Sequence, residues 1–104
     1  MRTLKIIYHS AIERISSVIE RISTISVHHI CNLSIQKNYE ISGVSYIDVF
    51  LGNGSSMAIQ LPTEKAYELY DKLASWLSDE VTSLEVELIC GMNGDAIDYI
   101  AVEK

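Results

Sequence analysis

The sequence predicts an α+β domain: a two-layer sandwich in which two amphipathic helices cover one face of a mostly antiparallel sheet, in the order β-α-β-β-β-α-β-β. Three observations carry this prediction. Apolar residues recur at a helical spacing in two stretches and at a strand spacing elsewhere. Glycine–asparagine clusters, Gly52-Asn53-Gly54 and Gly91-Met92-Asn93-Gly94, separate alternating runs in the manner of hairpins. The third is size: 104 residues, 48% hydrophobic and 21% charged with one proline, suit a single folded domain over 1–104.

Residues 3–8 read as a first strand. An internal repeat follows, Ile12-Glu13-Arg14-Ile15-Ser16-Ser17-Val18 and then Ile19-Glu20-Arg21-Ile22-Ser23-Thr24-Ile25. Its heptads place Ile12, Ile15, Val18, Ile19, Ile22 and Ile25 on one stripe, which predicts a helix over about 11–24. Ser10 and Glu13 have capping-box spacing at its start, while the β-branched content makes such a helix dependent on packing. From Ile25 to Gln36 the period becomes two, with Val27, His29, Cys31, Leu33 and Ile35 on one face. Runs at 46–51 and 57–61 complete an expected meander. Pro62-Thr63-Glu64 opens a second helix, with Ala66, Leu69, Tyr70, Leu73, Trp76 and Leu77 as its buried stripe and Glu68 to Lys72 as an i,i+4 pair. A hairpin closes the chain: residues 84–88 alternate, 91–95 turn and 96–102 return.

Composition excludes several functions. The net charge of −6, from 14 acidic and 8 basic residues, disfavours direct nucleic-acid binding and an anionic membrane surface, both of which need cationic side chains. No apolar run reaches the ~20 residues of a membrane span, and the N-terminus lacks the apolar core of a signal peptide. The two cysteines, Cys31 and Cys90, have no CxxC partner and lie in apolar runs, where a free cysteine acts as a small hydrophobe. A reduced cytoplasm is the expected location. Slightly positive mean hydropathy in so small a domain implies that some apolar area stays outside, as for self-association or a partner.

The chemistry-bearing residues make no catalytic or cofactor fingerprint. His9, His29 and Cys31 would form a metal site if the first two strands paired, since zinc accepts nitrogen and sulfur donors. The plainer reading is a buried cysteine beside exposed histidines, because the spacing matches no zinc motif. Both cysteines lack the electropositive setting that activates a thiol. Glu85 and Glu87 share a strand face and, with Asp95 and Asp98, concentrate acid in the last hairpin. Asp79 and Glu80 would extend the stripe if they lay beside it. A solvated outer face accounts for this acidity, and an acidic stripe for a basic partner is the functional reading. Tyr39 and Tyr46 fall off the core stripes and suit protein recognition. The glycine turns lie between strands, with no helix behind them to cradle phosphate.

Three functional classes follow. The first is a non-enzymatic interaction module, such as a stoichiometric inhibitor or immunity-type protein, bound to a larger and basic protein through Glu85, Glu87, Asp95, Asp98, Tyr39 and Tyr46. Small acidic α+β proteins of phages and mobile elements, anti-CRISPR and toxin-neutralising proteins among them, share its gross features as a class, without a shared motif. A homodimer is compatible with the surplus apolar surface. The second class is a small-ligand or metal-binding domain using the histidines and tyrosines. The third is a small dimeric enzyme of ferredoxin-like type. No cofactor is expected.

Overall fold

The computed structural model describes residues 2–12, 17–79, 81–91 and 94–104. The elements run β1 (Thr3–Ile12), β2 (Ser17–Ser26), a 3-10 turn (Val27–His29), β3 (Ile30–Lys37), β4 (Val44–Leu51), β5 (Ser56–Pro62), α1 (Thr63–Leu77), β6 (Leu84–Cys90) and β7 (Ala96–Glu103). The fold is α+β with mostly antiparallel pairing, but it has two sheets and, among the described residues, one α-helix. One sheet has the order β2-β1-β6-β7 and the other β3-β4-β5. Within the first, β1 and β6 run parallel, with Leu4 beside Leu84 and Tyr8 beside Leu88.

The expected helix over 11–24 is not formed. Ile12 closes β1, and Ser17 to Ser26 form β2, antiparallel to it from Thr3–Ser26 to Ile12–Ser17. Glu13 of the expected capping box lies outside the described residues. The physical reason lies in the composition of the repeat. Isoleucine, valine and threonine, β-branched, favour a pleated surface over a helix. Within β2 Ile22 and Ile25 fall on opposite faces, Ile25 beside the buried Leu4 and Ile22 beside Ile7, so no clean alternation marks the strand.

The single strand expected over 25–36 is also divided. Val27–His29 turns, Ser26 accepts a hydrogen bond from the His28 N–H, and β3 starts afresh at Ile30. A bulge then lets Ile30 face Leu51 and Asn32 face Phe50, leaving Cys31 without an opposite residue. Ile30, Leu33 and Ile35 therefore pack inward while Cys31 is exposed, contrary to the buried cysteine the alternation implies. The β3-β4-β5 meander and the final β6-β7 hairpin form as expected.

The predicted second helix is α1. Ala66, Leu69, Leu73 and Trp76 are buried, with Tyr70 and Leu77 packed at their edge. Its start is tied to β4, where the fully buried Ser45 hydroxyl lies 2.9 Å from that of Thr63. Glu68 and Lys72 both turn to Tyr99 of β7 rather than to each other. The Tyr99 hydroxyl donates to Glu68 at 2.6 Å, and the Lys72 ammonium lies over the Tyr99 ring. Burial, with Glu68 beside it, pushes the Tyr99 hydroxyl above the usual tyrosine range.

One core joins these parts. Leu69, Leu73 and Trp76 of the helix meet Ile47, Ile59 and Leu61 of one sheet and Leu4, Ile6, Leu84, Val86, Leu88 and Tyr99 of the other. Trp76 is its largest member and also donates from its indole to the Thr82 carbonyl at 3.0 Å. Arg2 stacks over the same ring and donates to the carbonyls of Thr82 and Trp76. Trp76→Ala is therefore expected to cost about 3–5 kcal/mol, as truncation of a buried aromatic does. Urea unfolding of the two proteins measures it, and a loss below about 1 kcal/mol would show that the core does not centre on this ring.

Candidate functional site

The four-stranded sheet buries one face and leaves the other open. On β1, Leu4 and Ile6 point into the core, so Lys5, Ile7 and His9 point away from it. Pairing then sets the outward rows. Ile22 of β2 lies beside Ile7, Ile7 beside Glu87 of β6, and Glu87 beside Ile100 of β7. The next row is Thr24, Lys5, Glu85 and Val102. Ile22 and Ile100 are 51% and 50% exposed, and Val102 and Ile89 are exposed as well. At the far end, a bulge in β7 leaves Ile97 unpaired and exposed. In small domains a sheet face facing water usually alternates to polar residues; this one carries a band of isoleucine and valine.

Its acidic side chains have partners within the chain. The Glu85 carboxylate lies 2.9 Å from the Lys104 ammonium and 3.5 Å from that of Lys5. The hydrogen bond from Lys104, helped by its charge and by Lys5, holds Glu85 below the usual carboxylate range against some desolvation. His9 sits between Glu20 and Glu87, its two ring nitrogens 3.6 Å from one carboxylate each. Asp98 pairs with Lys65 of α1 at 3.5 Å. These are partly exposed contacts of small energy.

The residues singled out from the sequence do not form one patch. Glu85 and Glu87 lie on the open face. Asp98 turns to the helix, and Asp95 follows the β6-β7 turn, of which Met92 and Asn93 lie outside the described residues. Tyr46 is on the outward face of the other sheet, beside Gln36 and Gln60, and Tyr39, 98% exposed, is in the β3-β4 loop. Asp79 caps its own loop through the Val81 N–H and the Thr82 hydroxyl rather than extending the stripe, and Glu80 lies outside the described residues. The possible metal trio is also dispersed: β1 pairs with residues 17–26 and not with the strand bearing Cys31, so His9 is on one sheet while His29 and Cys31 adjoin the other. Among the described residues no group of three histidine, cysteine or acidic side chains is placed to hold a metal ion. Burial, the main effect, pushes the Cys90 thiol above its ordinary value.

Sequence reasoning missed the apolar members Ile7, Ile22, Ile89, Ile100 and Val102. The surplus hydropathy signalled that such residues exist, but not which ones. A cleft of about 380 Å³ is a second feature; it opens between β5 and the inner face of the four-stranded sheet, with Arg21, Ser23, Gln60 and Tyr8 around an Ile6, Ile59 and Leu88 floor. No helix among the described residues is long and apolar enough to cross a membrane. Comparison with protein families, curated proteins and solved structures finds no match to the chain.

The Glu85 contacts give a pH signature. A carboxylate held below its unfolded value adds stability above that value and loses it as pH falls through the lowered one. Replacing Glu85 with Gln is therefore expected to flatten the acid limb of melting temperature against pH, leaving the neutral region little changed in slope. Identical acid limbs for both proteins would show that Lys104 and Lys5 do not hold the group in solution.

Proposed function

We propose that the chain is a non-enzymatic interaction module, of the stoichiometric inhibitor or immunity type, that docks a larger protein through the open face of β2-β1-β6-β7. One observation carries the reading: an uncovered sheet face bearing Ile22, Ile7, Ile100 and Val102, with Glu85 and Glu87 partnered by side chains of the same chain. Apolar centres with polar rims are the usual anatomy of a protein interface. The net charge of −6 favours a partner with basic residues around its docking site, through faster encounter more than through tighter contact. Glu85 and Glu87 then act at the rim. Tyr46 and Tyr39, on the other sheet and its loop, lie outside this surface.

The test is capture from the native host by the tagged protein, followed by mass measurement of the complex. The expected result is one partner in fixed stoichiometry. Ile100→Lys, which disturbs no buried contact, should weaken the complex by roughly tenfold or more, whereas Asp71→Lys on the exposed side of α1 should not. Equal capture by the Ile100→Lys protein would exclude this face.

A second reading, a small-ligand domain, is favoured by the cleft alone. Its size suits an organic ligand, and Arg21 at the rim suits an anionic group on it. Shifts of the Ser23 and Gln60 amide resonances on adding small carboxylates, lost in Arg21→Ala, would support it; unmoved resonances would remove it.

A further inference from the structure

Strand edges offer unpaired backbone groups to other chains, and folded proteins ordinarily block them with bulges, lysine, proline or a neighbouring element. Three edges here are blocked in this way. β3 carries the bulge at Cys31 and ends on Lys37. β5 ends on Pro62, and β5 and β7 lie against each other, each shielding its neighbour. Among the described residues β2 has no bulge, lysine, proline or covering element, and its one inward-facing charge is Arg21, at the rim of the cleft. It runs ten residues, Ser17–Ser26, in unbroken register with β1, without proline, glycine or lysine. Its only charges, Glu20 and Arg21, are adjacent in sequence and of opposite sign.

We infer that β2 pairs with β2 of a second copy of this chain, antiparallel about a twofold axis through Ile22, joining two four-stranded sheets into one of eight strands. The register follows from symmetry and charge. A twofold normal to the sheet keeps the core faces on one side, so each residue faces one of its own parity and the axis passes through a residue. An axis through Glu20 or Arg21 sets like charges opposite each other, which is destabilising. An axis through Ser23 shortens the ladder to Glu20–Ser26. The axis through Ile22 spans Val18–Ser26 and sets Ile22 against Ile22, Arg21 against Ser23 and Glu20 against Thr24, with no like charges opposite. The association closes on itself, because the remaining edges are blocked. It also joins the two outward apolar rows end to end at Ile22.

Sedimentation equilibrium of the full chain, combined with variants at Thr24, tests this. The wild-type protein is expected to be a dimer. Thr24→Glu places a carboxylate opposite Glu20 twice per dimer and should raise the dissociation constant roughly threefold to tenfold; Thr24→Lys should lower it. In a Cys31→Ser, Cys90→Ser background, Ile22→Cys should be joined to its twin by a short thiol cross-linker, and Ile100→Cys should not. A monomeric wild-type protein, equal effects of the two Thr24 substitutions, or cross-linking at Ile100 and not at Ile22 would each overturn the proposal. Thr24 is exposed, so both of its variants keep the core intact.

Discussion

The parallel pairing of β1 with β6 is the contact on which the rest of this molecule depends. It joins residues 4–8 to residues 84–88, and so turns two hairpins, each marginal alone, into one sheet with a buried face. Closing so long a loop costs entropy, although the cost grows only slowly with length. Leu4, Ile6, Leu84, Val86 and Leu88 offset it by leaving water together. A polar clasp sits at the same place: Arg2 holds the Thr82 and Trp76 carbonyls, the Thr3 N–H reaches the Ser83 hydroxyl, and Ser83 and Lys104 exchange backbone hydrogen bonds. The end of the helix, the start of β6 and both chain ends are thereby tied to one point.

From that closure the open face follows. A sheet buried on one side by the helix and the second sheet leaves its other side to whatever the alternating residues happen to be. Here they are isoleucine and valine among charged side chains that have partners in the same chain. The net acidity of the chain is therefore misleading about this surface. Glu85, Glu87 and Asp98 each face a cation or an imidazole of their own chain, so the excess negative charge acts at longer range, while contact over the band is apolar.

Helix α1 was legible because several signals agree in it. A proline precedes the start, good helix formers fill it, and its apolar period gives one stripe. The repeat at 12–25 misled because Ile-x-x-Ile spacing satisfies a helical period even in residues whose β-branched side chains prefer a strand. No glycine or proline between Ile12 and Ser17 announces that one strand ends and another begins. The bulge at Cys31 was equally silent, and one extra residue there reverses the side on which every later residue of the run appears. Of the site, Glu85 and Glu87 were correctly placed on a water-facing strand side. Asp95, Tyr39 and Tyr46 lie on other parts of the surface, and Asp98, opposite Ile89 at the edge of the open face, is drawn to Lys65 of the helix.

By itself the sequence determined local matters: one amphipathic helix, a meander, a final hairpin, an α+β composition and an excess of apolar residues over what a small core consumes. These depend on neighbours within a few positions, where period and turn chemistry act. Only the tertiary structure decided that β1 and β6 pair in parallel, that there are two sheets, and that Ile22, Ile7 and Ile100 form one row across three strand pairings. Those are contacts between residues far apart in sequence. Their energy comes from the area they bury together, which no local pattern records.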